Sequence, residues 1–396
     1  MSFSIYIYGF AIALFIFYCG NLLLHIFGIT YGKIKLHKKP CLLPRESPLP
    51  SVSILKPLMG VDPNLSPNLE TFFTMQYPSY ELLFCIEDKE DPAVAVVNNL
   101  IDKYPKVDAH LYLGGSKVGV NPKINNLNAG YVNAKHELIM ISDSGIRMKE
   151  DTLLDMVQHM KDGIALVHQL PFTCDREGFA ATFEKIYFGT YQARMYLTAD
   201  LLGAVCHTGM SSLIRRDVLE EIGGLQSFGC YLAEDFFLAK SISDAGWKSA
   251  ISSQPAWQNS GICDITSFQL RLTRWAKLRV AMVPHLIILE PLSECMVLGC
   301  LASWAVNVLF QWDALPFYLV HILVWFLSDW IMLSVVQNGP LPFNKFNFVV
   351  GWLFREFTGP YLFACALFNP AIRWRERTFK LHWGGIAYET KSRIKS

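Results

Sequence analysis

Long apolar segments stand at both ends of this chain, and a more polar region lies between them. The first segment, residues 5–29, contains no Lys, Arg, Asp or Glu and is long enough to span a bilayer as a helix. No small-residue cleavage site follows it, so the pattern predicts an uncleaved anchor over residues 1–32. Membrane-embedded helices are also predicted between residues 284 and 370. They cover roughly Cys295–Phe310, Leu315–Val336 and Phe348–Phe368.

Basic residues follow the first apolar segment at once, whereas the short N-terminus carries none. They are Lys33, Lys35, His37, Lys38, Lys39 and Arg45. Because basic residues flanking a span favour the cytosolic side, we expect the chain to enter the cytosol at residue 33. Asp329, Arg355 and Glu356 interrupt the later apolar segments. Charge at membrane depth indicates either function or pairing, and we favour pairing within a helix bundle.

The tail, residues 371–396, conflicts with three full crossings of the later segments. Three crossings would place it in the lumen, yet residues 373–383 are basic and predict a short hairpin. The positive-inside rule favours the cytosol for such a segment. We therefore expect the segment that starts near Glu290 to be re-entrant or interfacial.

Residues 50–283 show short apolar runs that alternate with helical patterns. The alternation predicts an α/β domain with a mostly parallel sheet and helices on both faces. In such sheets, ligands bind beyond the carboxyl ends of the strands. Two buried runs end in the acidic sequences CIEDKED and ISDSG, so we expect two acidic clusters to face one crevice.

Composition narrows the classes of function. The formal net charge is +1, which gives no general reason to expect nucleic acid binding. The ten cysteines show neither a CxxC motif nor Cys/His spacing typical of zinc, so we expect reduced thiols rather than a disulfide framework. A homo-oligomer is compatible with the sequence.

Polar groups at strand and helix ends are candidates for chemistry. Asp143, in ISDSG, is suited to meeting a metal-bound diphosphate, with a strand-end cap as the alternative. Lys123, at a predicted helix start, is suited to donor phosphates or ribose, with a capped surface loop as the alternative. Cys206 and His207 are acceptor-side candidates, although a buried thiol and a packed histidine are commoner for such residues.

Two further motifs carry charge. In LRLTRWAKLR, Arg271, Arg274 and Trp275 are suited to binding phosphate oxygens, or alternatively to lying on anionic lipid. In YLAEDFFLAK, Glu234 and Asp235 stand among bulky apolar residues, where ionised carboxylates are costly. Burial there should raise the proton affinity of Asp235, which would make it a better base.

With Asp91, Asp143, Asp235 and RLTRW in this order, the chain resembles the inverting glycosyltransferases of the GT-A fold. Those enzymes carry three separated aspartate motifs followed by [Q/R]xxRW. Longer stretches narrow the resemblance to the ceramide glucosyltransferase family over nearly the whole chain. They include LKPLMGVDPNL, VGVNPKINNLNAGY, GFAATFEKIYFGT, TGMSSLIRRDVL and AEDFFLAK.

The resemblance implies a reaction and a location. Glucose would pass from UDP-glucose to the primary hydroxyl of ceramide, at the cytosolic face of the Golgi membrane. Asp91 and Asp143 would handle the nucleotide sugar, Asp235 would be the catalytic base, and RLTRW would serve donor binding and catalysis. Glu234 would join the acceptor side. A divalent cation, Mg²⁺ or Mn²⁺, would sit with Asp143 on the donor diphosphate.

Two departures from the family pattern matter. Many GT-A enzymes have Asp-x-Asp at the second motif, whose last Asp binds the metal, and here Gly145 stands in that place. This weakens the expectation of a tightly held metal. Gln192 stands where mammalian members carry a histidine, so that histidine's role is not transferred.

Three other interpretations remain. A related GT-A enzyme would act on a sterol, diacylglycerol or a growing polysaccharide, although three short segments are few for a polymer conduit. A catalytically silent scaffold or lipid-transfer module would not need Asp235 and Arg274 together, and both are present. A transporter is disfavoured because no paired broken helices are apparent.

Overall fold

A computed structural model describes residues 2–39, 49–374 and 377–390 of the chain. Arg45, used above for orientation, lies outside these residues, as do residues 375–376 of the predicted hairpin and the last part of the tail. The strands are β1 Val52–Leu58, β2 Tyr80–Ile86, β3 Asp108–Leu113, β4 Leu138–Ser142, β5 Ile146–Arg147, β6 Ile164–His168, β7 Pro171–Thr173, β8 Ser211–Arg215, β9 Lys248–Ile251, β10 Ala256–Gln258, β11 Ile372–Trp374, β12 Arg377–Leu381 and β13 Ala387–Thr390. The α-helices are α1 Ser2–Lys35, α2 Leu65–Phe73, α3 Ala93–Lys103, α4 Pro122–Asn133, α5 Thr152–Gln158, α6 Phe179–Tyr187, α7 Ala193–Leu202, α8 Arg216–Glu221, α9 Glu234–Asp244, α10 Ile265–Met282, α11 Leu286–Leu292, α12 Cys295–Phe310, α13 Ala314–Gln337 and α14 Lys345–Phe368.

The chain divides into two compact units. The sheet unit comprises Lys35–Arg176, Ala199–Asp264 and Ala371–Ser396, and the helical unit comprises Met1–Ile34, Glu177–Thr198 and Ile265–Pro370. This division differs from the continuous catalytic domain 50–283 that the sequence suggested. The helices α6 and α10 both pack on α14 and so belong with the helical unit. The tail strands belong instead with the sheet unit.

The sheet unit is built on a seven-stranded sheet in the order β3-β2-β1-β4-β8-β6-β9. The strands β3, β2, β1 and β4 are parallel to one another, whereas β8 runs antiparallel to both of its neighbours. Every residue of β4 is buried, and only one residue of β2 is partly exposed. Continuous burial of this kind requires cover on both faces of a sheet. The predicted α/β class with a mostly parallel sheet is confirmed.

The order of strands creates a switch point beside β1. The chain moves from β1 to β2 and β3 on one side, and then returns to place β4 on the other side of β1. Crevices at the carboxyl ends of strands next to such a reversal are the usual ligand sites of open α/β sheets. Because β8 is antiparallel, its first residue, Ser211, pairs with Ser142 at the carboxyl end of β4. Residues before β8 therefore reach the same edge.

The tail forms a small antiparallel sheet of β11, β12 and β13. The predicted hairpin corresponds to β11 and β12, and β13 extends it. The Ala387 N–H donates to the Cys230 carbonyl at 2.9 Å, and Ile386 forms a β-bridge with Tyr231. The tail strands are thus hydrogen-bonded to the loop that precedes α9.

Within the described residues, two helical stretches are long and apolar enough to cross a membrane, Ile5–Lys35 and Ala314–Gln337. A third candidate is the pair α11 and α12, which meets the criterion only together and is bent by 79° at the break between them. Such a bend is typical of a broken span or a re-entrant loop. The helix α14 has the length of a span but is not among these candidates.

Several charged residues inside the helical unit are paired. Asp329 of α13 is fully buried and accepts hydrogen bonds from Trp352 Nε1 and Arg355 Nη2, both at 2.8 Å. Its other oxygen lies 3.3 Å from His25 Nε2 of α1. Arg355 also contacts Thr190 and Glu356. The expectation that these charges pair within a helix bundle is confirmed for Asp329 and Arg355, and the contacts of Asp329 tie α1, α13 and α14 together.

The predicted helix over residues 179–196 forms with one irregularity. The helix α6 runs into a π-helix, Phe188–Gln192, which continues as α7. A π-turn adds a residue to the turn and is frequent at functional sites. Phe188 of this turn lies within 6.1 Å of Trp275, measured between ring centroids.

Candidate active site

A buried lysine marks the switch point of the sheet. Lys56 of β1 is completely buried, and its ammonium donates to the Ser142 hydroxyl at 3.2 Å and to the Asp143 carbonyl at 2.7 Å. It also lies 3.8 Å from the centroid of the Phe72 ring. Burial lowers the pKa of Lys56 to about 7, although the negative charge of Asp143 opposes this effect. The lysine therefore joins β1 to the residue that follows β4.

A second lysine connects three of the predicted site residues. The Lys123 ammonium lies 2.9 Å from an Asp143 oxygen and 3.2 Å from a Glu234 oxygen, and it donates to the Gly209 carbonyl at 2.8 Å. Burial by itself would lower the pKa of Lys123, but Asp143 and Glu234 hold it above its ordinary value. The lysine is charged at neutral pH and partly neutralises the carboxylates around it.

Asp235 lies beside this lysine at the start of α9. Its Oδ2 accepts from the Gly209 N–H at 2.8 Å, and its Oδ1 accepts from the Phe236 N–H at 2.8 Å. Burial, and then repulsion from Glu234, raise the pKa of Asp235 to about 6, against the opposing effect of Lys123. The raised proton affinity expected from the apolar surroundings is confirmed. At neutral pH the carboxylate is ionised, oriented and more basic than an ordinary aspartate.

Asn121 holds the start of α4 against the start of α9. Its side-chain oxygen caps α4 by accepting from the N–H groups of Lys123 and Ile124. Its side-chain nitrogen donates to the Tyr231 carbonyl at 2.7 Å and to Glu234 Oε2 at 2.9 Å. Because a helix N-cap has a defined geometry, this residue orients Lys123 and Glu234 together.

A close backbone approach makes this arrangement possible. A Cβ added at Gly119 would lie 2.2 Å from the Gly229 carbonyl oxygen, so the loop before α4 and the loop before α9 touch through their backbones. The Asn121 N–H also donates to the Gly229 carbonyl at 2.9 Å. Glycine is needed at position 119 because any larger residue would push the two loops apart.

Two histidines line the inner side of the site. His207 lies in a small cavity also lined by Lys123, Glu234 and Asp235. Its ring meets that of His168 edge to face, with the centroids 4.9 Å apart. Burial lowers the pKa of His168 to about 4 and that of His207 well below its ordinary value. Both rings are therefore neutral at pH 7, which makes His207 a poor proton donor.

The other acceptor-side candidates have different surroundings. Cys206 is partly buried and precedes His207 in the same loop. Glu234, with its carboxylate on Lys123 and Asn121, sits with the residues expected for the donor. An acceptor-side role for Cys206, His207 and Glu234 remains a prediction.

Asp91 follows β2 but has backbone partners of its own. It is 9% exposed, and its carboxylate accepts from the Gly60 N–H at 2.7 Å and the Ala93 N–H at 2.8 Å. These bonds tie the loop after β1 to the start of α3. Glu87, in the same acidic sequence, is exposed. The role of Asp91 in donor binding remains a prediction.

The RLTRW motif lies on α10, in the helical unit. The Arg271 guanidinium lies 4.7 Å from the centroid of the Trp275 ring and 5.9 Å from that of Phe188. A guanidinium over an aromatic face is held by cation–π attraction. One turn further along the helix, Arg279 pairs with Glu290 at 2.5 Å. The donor-binding roles of Arg271, Arg274 and Trp275 remain predictions.

The residues around Asp143 do not fit a tightly held divalent cation. The Asp143 carboxylate is about two-fifths exposed and already contacts the Lys123 ammonium, and Gly145 supplies no side-chain ligand. Hard divalent cations need several oxygen ligands, and a single carboxylate that is already paired with a lysine supplies too few. In the described part of the chain, Glu81, Asp108 and His110 place ligand atoms within 4.8 Å of one another. These residues lie at the beginning of β2 and β3, opposite the carboxyl ends, and so away from Asp143.

Lys56, Asn121, Gly209 and His168 are site residues that the sequence did not reveal. A lysine inside an otherwise apolar strand was a signal for Lys56, since such a lysine is rarely buried without a partner. The other three act through backbone geometry or through neighbours distant in sequence. Nothing in the sequence around them distinguishes them from ordinary loop and strand residues.

Comparison with known proteins agrees with the sequence motifs. The sequence model of Glycosyl transferase family 21 matches residues 20–387. Ceramide glucosyltransferase 3 of Caenorhabditis elegans is 46% identical over 95% of this chain and 82% of that protein. Ceramide glucosyltransferase 1 of the same organism is 44% identical over 93% of this chain and 79% of that protein.

A solved structure resembles the chain more distantly. It is a mannosyltransferase from Pyrobaculum calidifontis in complex with GDP-Man and Mn²⁺, with 16% identity and a TM-score of 0.48 over 91% of this chain and 96% of that one. The assignment therefore rests on the sequence matches, which cover most of the chain at high identity. The chain belongs to glycosyl transferase family 21.

Proposed function

We propose that this protein is a ceramide glucosyltransferase, which transfers glucose from UDP-glucose to the primary hydroxyl of ceramide and releases UDP. The observation that carries the proposal is the Asp235 carboxylate, oriented by two N–H groups and with a pKa of about 6. It occurs in a chain 44–46% identical to two ceramide glucosyltransferases. A base of this kind is what an inverting transfer to an alcohol requires.

Asp235 acts as the general base. As the acceptor oxygen bonds to the anomeric carbon, its proton passes to the Asp235 carboxylate, and the bond from that carbon to UDP breaks. The α-linked donor thus gives β-glucosylceramide in one in-line displacement. Alcohols are weak acids, so a carboxylate with raised pKa lowers the barrier more than an ordinary one. The Gly209 and Phe236 N–H groups keep it oriented.

Positive groups stabilise the departing diphosphate. Negative charge grows on UDP as the glycosyl bond breaks, and fixed cations at that place lower the barrier. In the sheet unit, the candidate cation for the diphosphate is Lys123, which pairs with Asp143. Arg271 and Arg274 are the candidates on α10, since guanidinium groups bind phosphate oxygens in pairs. Asp143 and Asp91 position the nucleotide sugar.

The membrane helices fit a lipid acceptor. Moving ceramide chains out of a bilayer costs roughly 0.8 kcal/mol for each methylene transferred to water. An enzyme that keeps the chains in the bilayer and binds only the head group avoids this cost. The candidate spans Ile5–Lys35 and Ala314–Gln337 anchor the protein where the acceptor resides.

We also propose a Golgi membrane location with the sheet unit facing the cytosol. The basic residues after α1 support that orientation. The hydrogen bond from Ala387 to Cys230 requires the tail strands and the loop before α9 to lie on one side of the membrane. The chain then crosses an even number of times between residues 264 and 371. We assign these crossings to α13 and α14, with the bent pair α11 and α12 re-entrant.

This topology gives a direct expectation. In sealed vesicles with the cytosolic side outward, a tag added after Ser396 is expected to be digested by added protease, because the tail shares a side with the sheet unit. A tag before Met1 is the matched control and is expected to be protected. Protection of both tags would refute the assigned crossings.

The proposed activity is tested by incubating purified protein with UDP-glucose and a panel of lipids. We expect mass spectrometry to find hexosylated ceramide and release of UDP, and we expect nuclear magnetic resonance to assign a β-linkage. Sterol and diacylglycerol belong in the panel because they are the acceptors of the rival interpretation. Exclusive glucosylation of either one would overturn the ceramide assignment.

A further inference from the structure

The helical unit contains a set of buried and half-buried charged residues in which acids outnumber arginines. It comprises three guanidinium groups and four carboxyl groups. Its members are Arg194, Arg279, Arg355, Glu290, Glu294, Asp329 and Glu356. Carboxylates at membrane depth are costly and are retained where they bind or react.

The excess acid is localised at Glu294 and Glu356. Asp329 is bonded to Arg355, and Glu290 binds Arg279 through both oxygens, at 2.5 and 3.1 Å. Glu356 is 3% exposed, and its Oε2 has no hydrogen-bond partner among the described residues. Glu294 is the N-cap residue of α12, but its side chain makes no capping hydrogen bond. Gly359, three residues after Glu356 on α14, lies against the Glu294 carboxylate.

The start of α12, just after the bend from α11, offers backbone N–H groups as hydrogen-bond donors, in addition to the carboxylate acceptors of Glu294 and Glu356. The first intrahelical bond of α12 runs from the Leu298 N–H to the Glu294 carbonyl at 2.8 Å, so the N–H groups before Leu298 have no partner within the helix. The three heavy atoms nearest to a Cβ added at Gly359 of α14 would all belong to the Glu294 carboxylate, at 3.9 Å. The side of α14 that bears Glu356 and Gly359 therefore leaves space beside Glu294.

The helices α11 and α14 also carry exposed apolar side chains. Ile288 of α11 is 64% exposed, and Phe357 and Tyr361 of α14 are 70% and 66% exposed. A ligand that suits both features has an uncharged head with donors and acceptors, attached to long hydrocarbon chains. Ceramide matches, because its head carries two hydroxyls and one amide N–H as donors and an amide carbonyl as acceptor.

We propose that Glu294, Glu356 and the first turn of α12 bind the amide and hydroxyl groups of the ceramide head, an inference that rests on the proposed function. Carboxylates accept from the hydroxyl and amide hydrogens in charge-assisted bonds, and a backbone N–H of α12 donates to the amide carbonyl. The site is connected to the RLTRW helix, since Arg279 of α10 is paired with Glu290 of α11. These acids are positioning residues for the acceptor.

The test uses the purified full chain in mixed micelles of fixed composition. In Glu294→Gln and Glu356→Gln we expect the KM for ceramide to rise about tenfold or more, because each loses a charge-assisted hydrogen bond, while the KM for UDP-glucose changes less than twofold. Gly359→Leu fills the space beside Glu294 and should act in the same way. The matched control is Asp313→Asn, an exposed N-cap acid of α13 whose side chain makes no capping bond.

A binding measurement separates this proposal from the proposed activity. A photoreactive ceramide, applied without UDP-glucose, is expected to label peptides from residues 286–298 and 354–361, and the three variants should lose that labelling. Failure of the wild type to glucosylate ceramide would refute the activity but not the labelling. Unchanged ceramide KM and labelling in all three variants, or labelling abolished by chelating divalent cations, would overturn the site.

Discussion

Asp235→Asn is expected to lower kcat by about 10²–10⁴-fold while UDP-glucose still binds with nearly its wild-type affinity. An asparagine of the same shape keeps the acceptor for the Gly209 N–H but takes no proton from the attacking hydroxyl. Initial rates of glucosylceramide formation give kcat, and calorimetric titration with UDP-glucose gives the affinity.

The control lies on the same helix. Asp244→Asn changes an exposed acid at the far end of α9, where it pairs with Lys240, and should leave kcat within twofold of wild type. A pure Asp235→Asn preparation that turns over as fast as wild type would remove Asp235 from the mechanism. Loss of UDP-glucose binding in that variant would reassign the residue to the donor site.

Lys123→Met is expected to lower both kcat and the free energy of unfolding. The ammonium holds Asp143 and Glu234 together, and removing it leaves two carboxylates that repel without compensation. Loss of one fixed cation near the diphosphate predicts a fall in kcat of about 10²–10³-fold. Because Asp143 is partly exposed, we expect a loss of about 2 kcal/mol in the free energy of unfolding, less than for a fully buried pair.

A double variant separates the two effects. Lys123→Met combined with Glu234→Gln removes the unpaired charge of the more buried acid, so stability should recover in part while activity does not. Denaturant unfolding measures the first quantity, and transfer rates measure the second. Lys240→Met, on the exposed face of α9, is the matched control. Additive losses of stability in the double variant would show that Lys123 and Glu234 do not interact.

The sequence predicted the elements better than the contacts between them. Alternating apolar runs predicted β1 to β4 and the helices between them. The strands β1, β2 and β4 are buried on both faces, whereas β3, at the edge of the sheet, is partly or fully exposed along its length. Three aspartate motifs predicted the order of the site residues along the chain. The antiparallel insertion of β8 beside β4 has no local signal, yet it brings Gly209 and His207 to the crevice.

The lysines show most clearly where sequence reasoning ends. Lys123 was recognised as a candidate for donor phosphates, but its ion pairs with Asp143 and Glu234 join residues 20 and 111 positions away. Lys56 was overlooked because its partners, Ser142 and Asp143, become neighbours only when β4 pairs with β1. Which charged residues become partners over a long sequence distance depends on how the strands pair. The hydrophobic and polar pattern of a single sequence does not show it.

The helices α12, α13 and α14 form where the apolar segments predicted them, but the specific contacts of their charged residues were not predicted. The segment Cys295–Phe310 forms as predicted, and the short helix before it, α11, meets it at a bend of 79°. Charge at positions 329, 355 and 356 interrupted the apolar pattern for a physical reason, since Asp329 and Arg355 bond to each other across α13 and α14. The tail hairpin formed as predicted, but its backbone bond to Cys230 was not foreseeable.

The most direct test of the central claim, that Asp235 is the base, is the pH dependence of kcat/KM in wild type and in Glu234→Gln. Only the ionised carboxylate accepts a proton, so kcat/KM should fall about tenfold per pH unit below a pH of about 6, the pKa of Asp235. Glu234 raises that pKa, so Glu234→Gln should move the fall to lower pH. A rate independent of pH from 7.5 to 5, or a fall at the same pH in both proteins, would contradict the account.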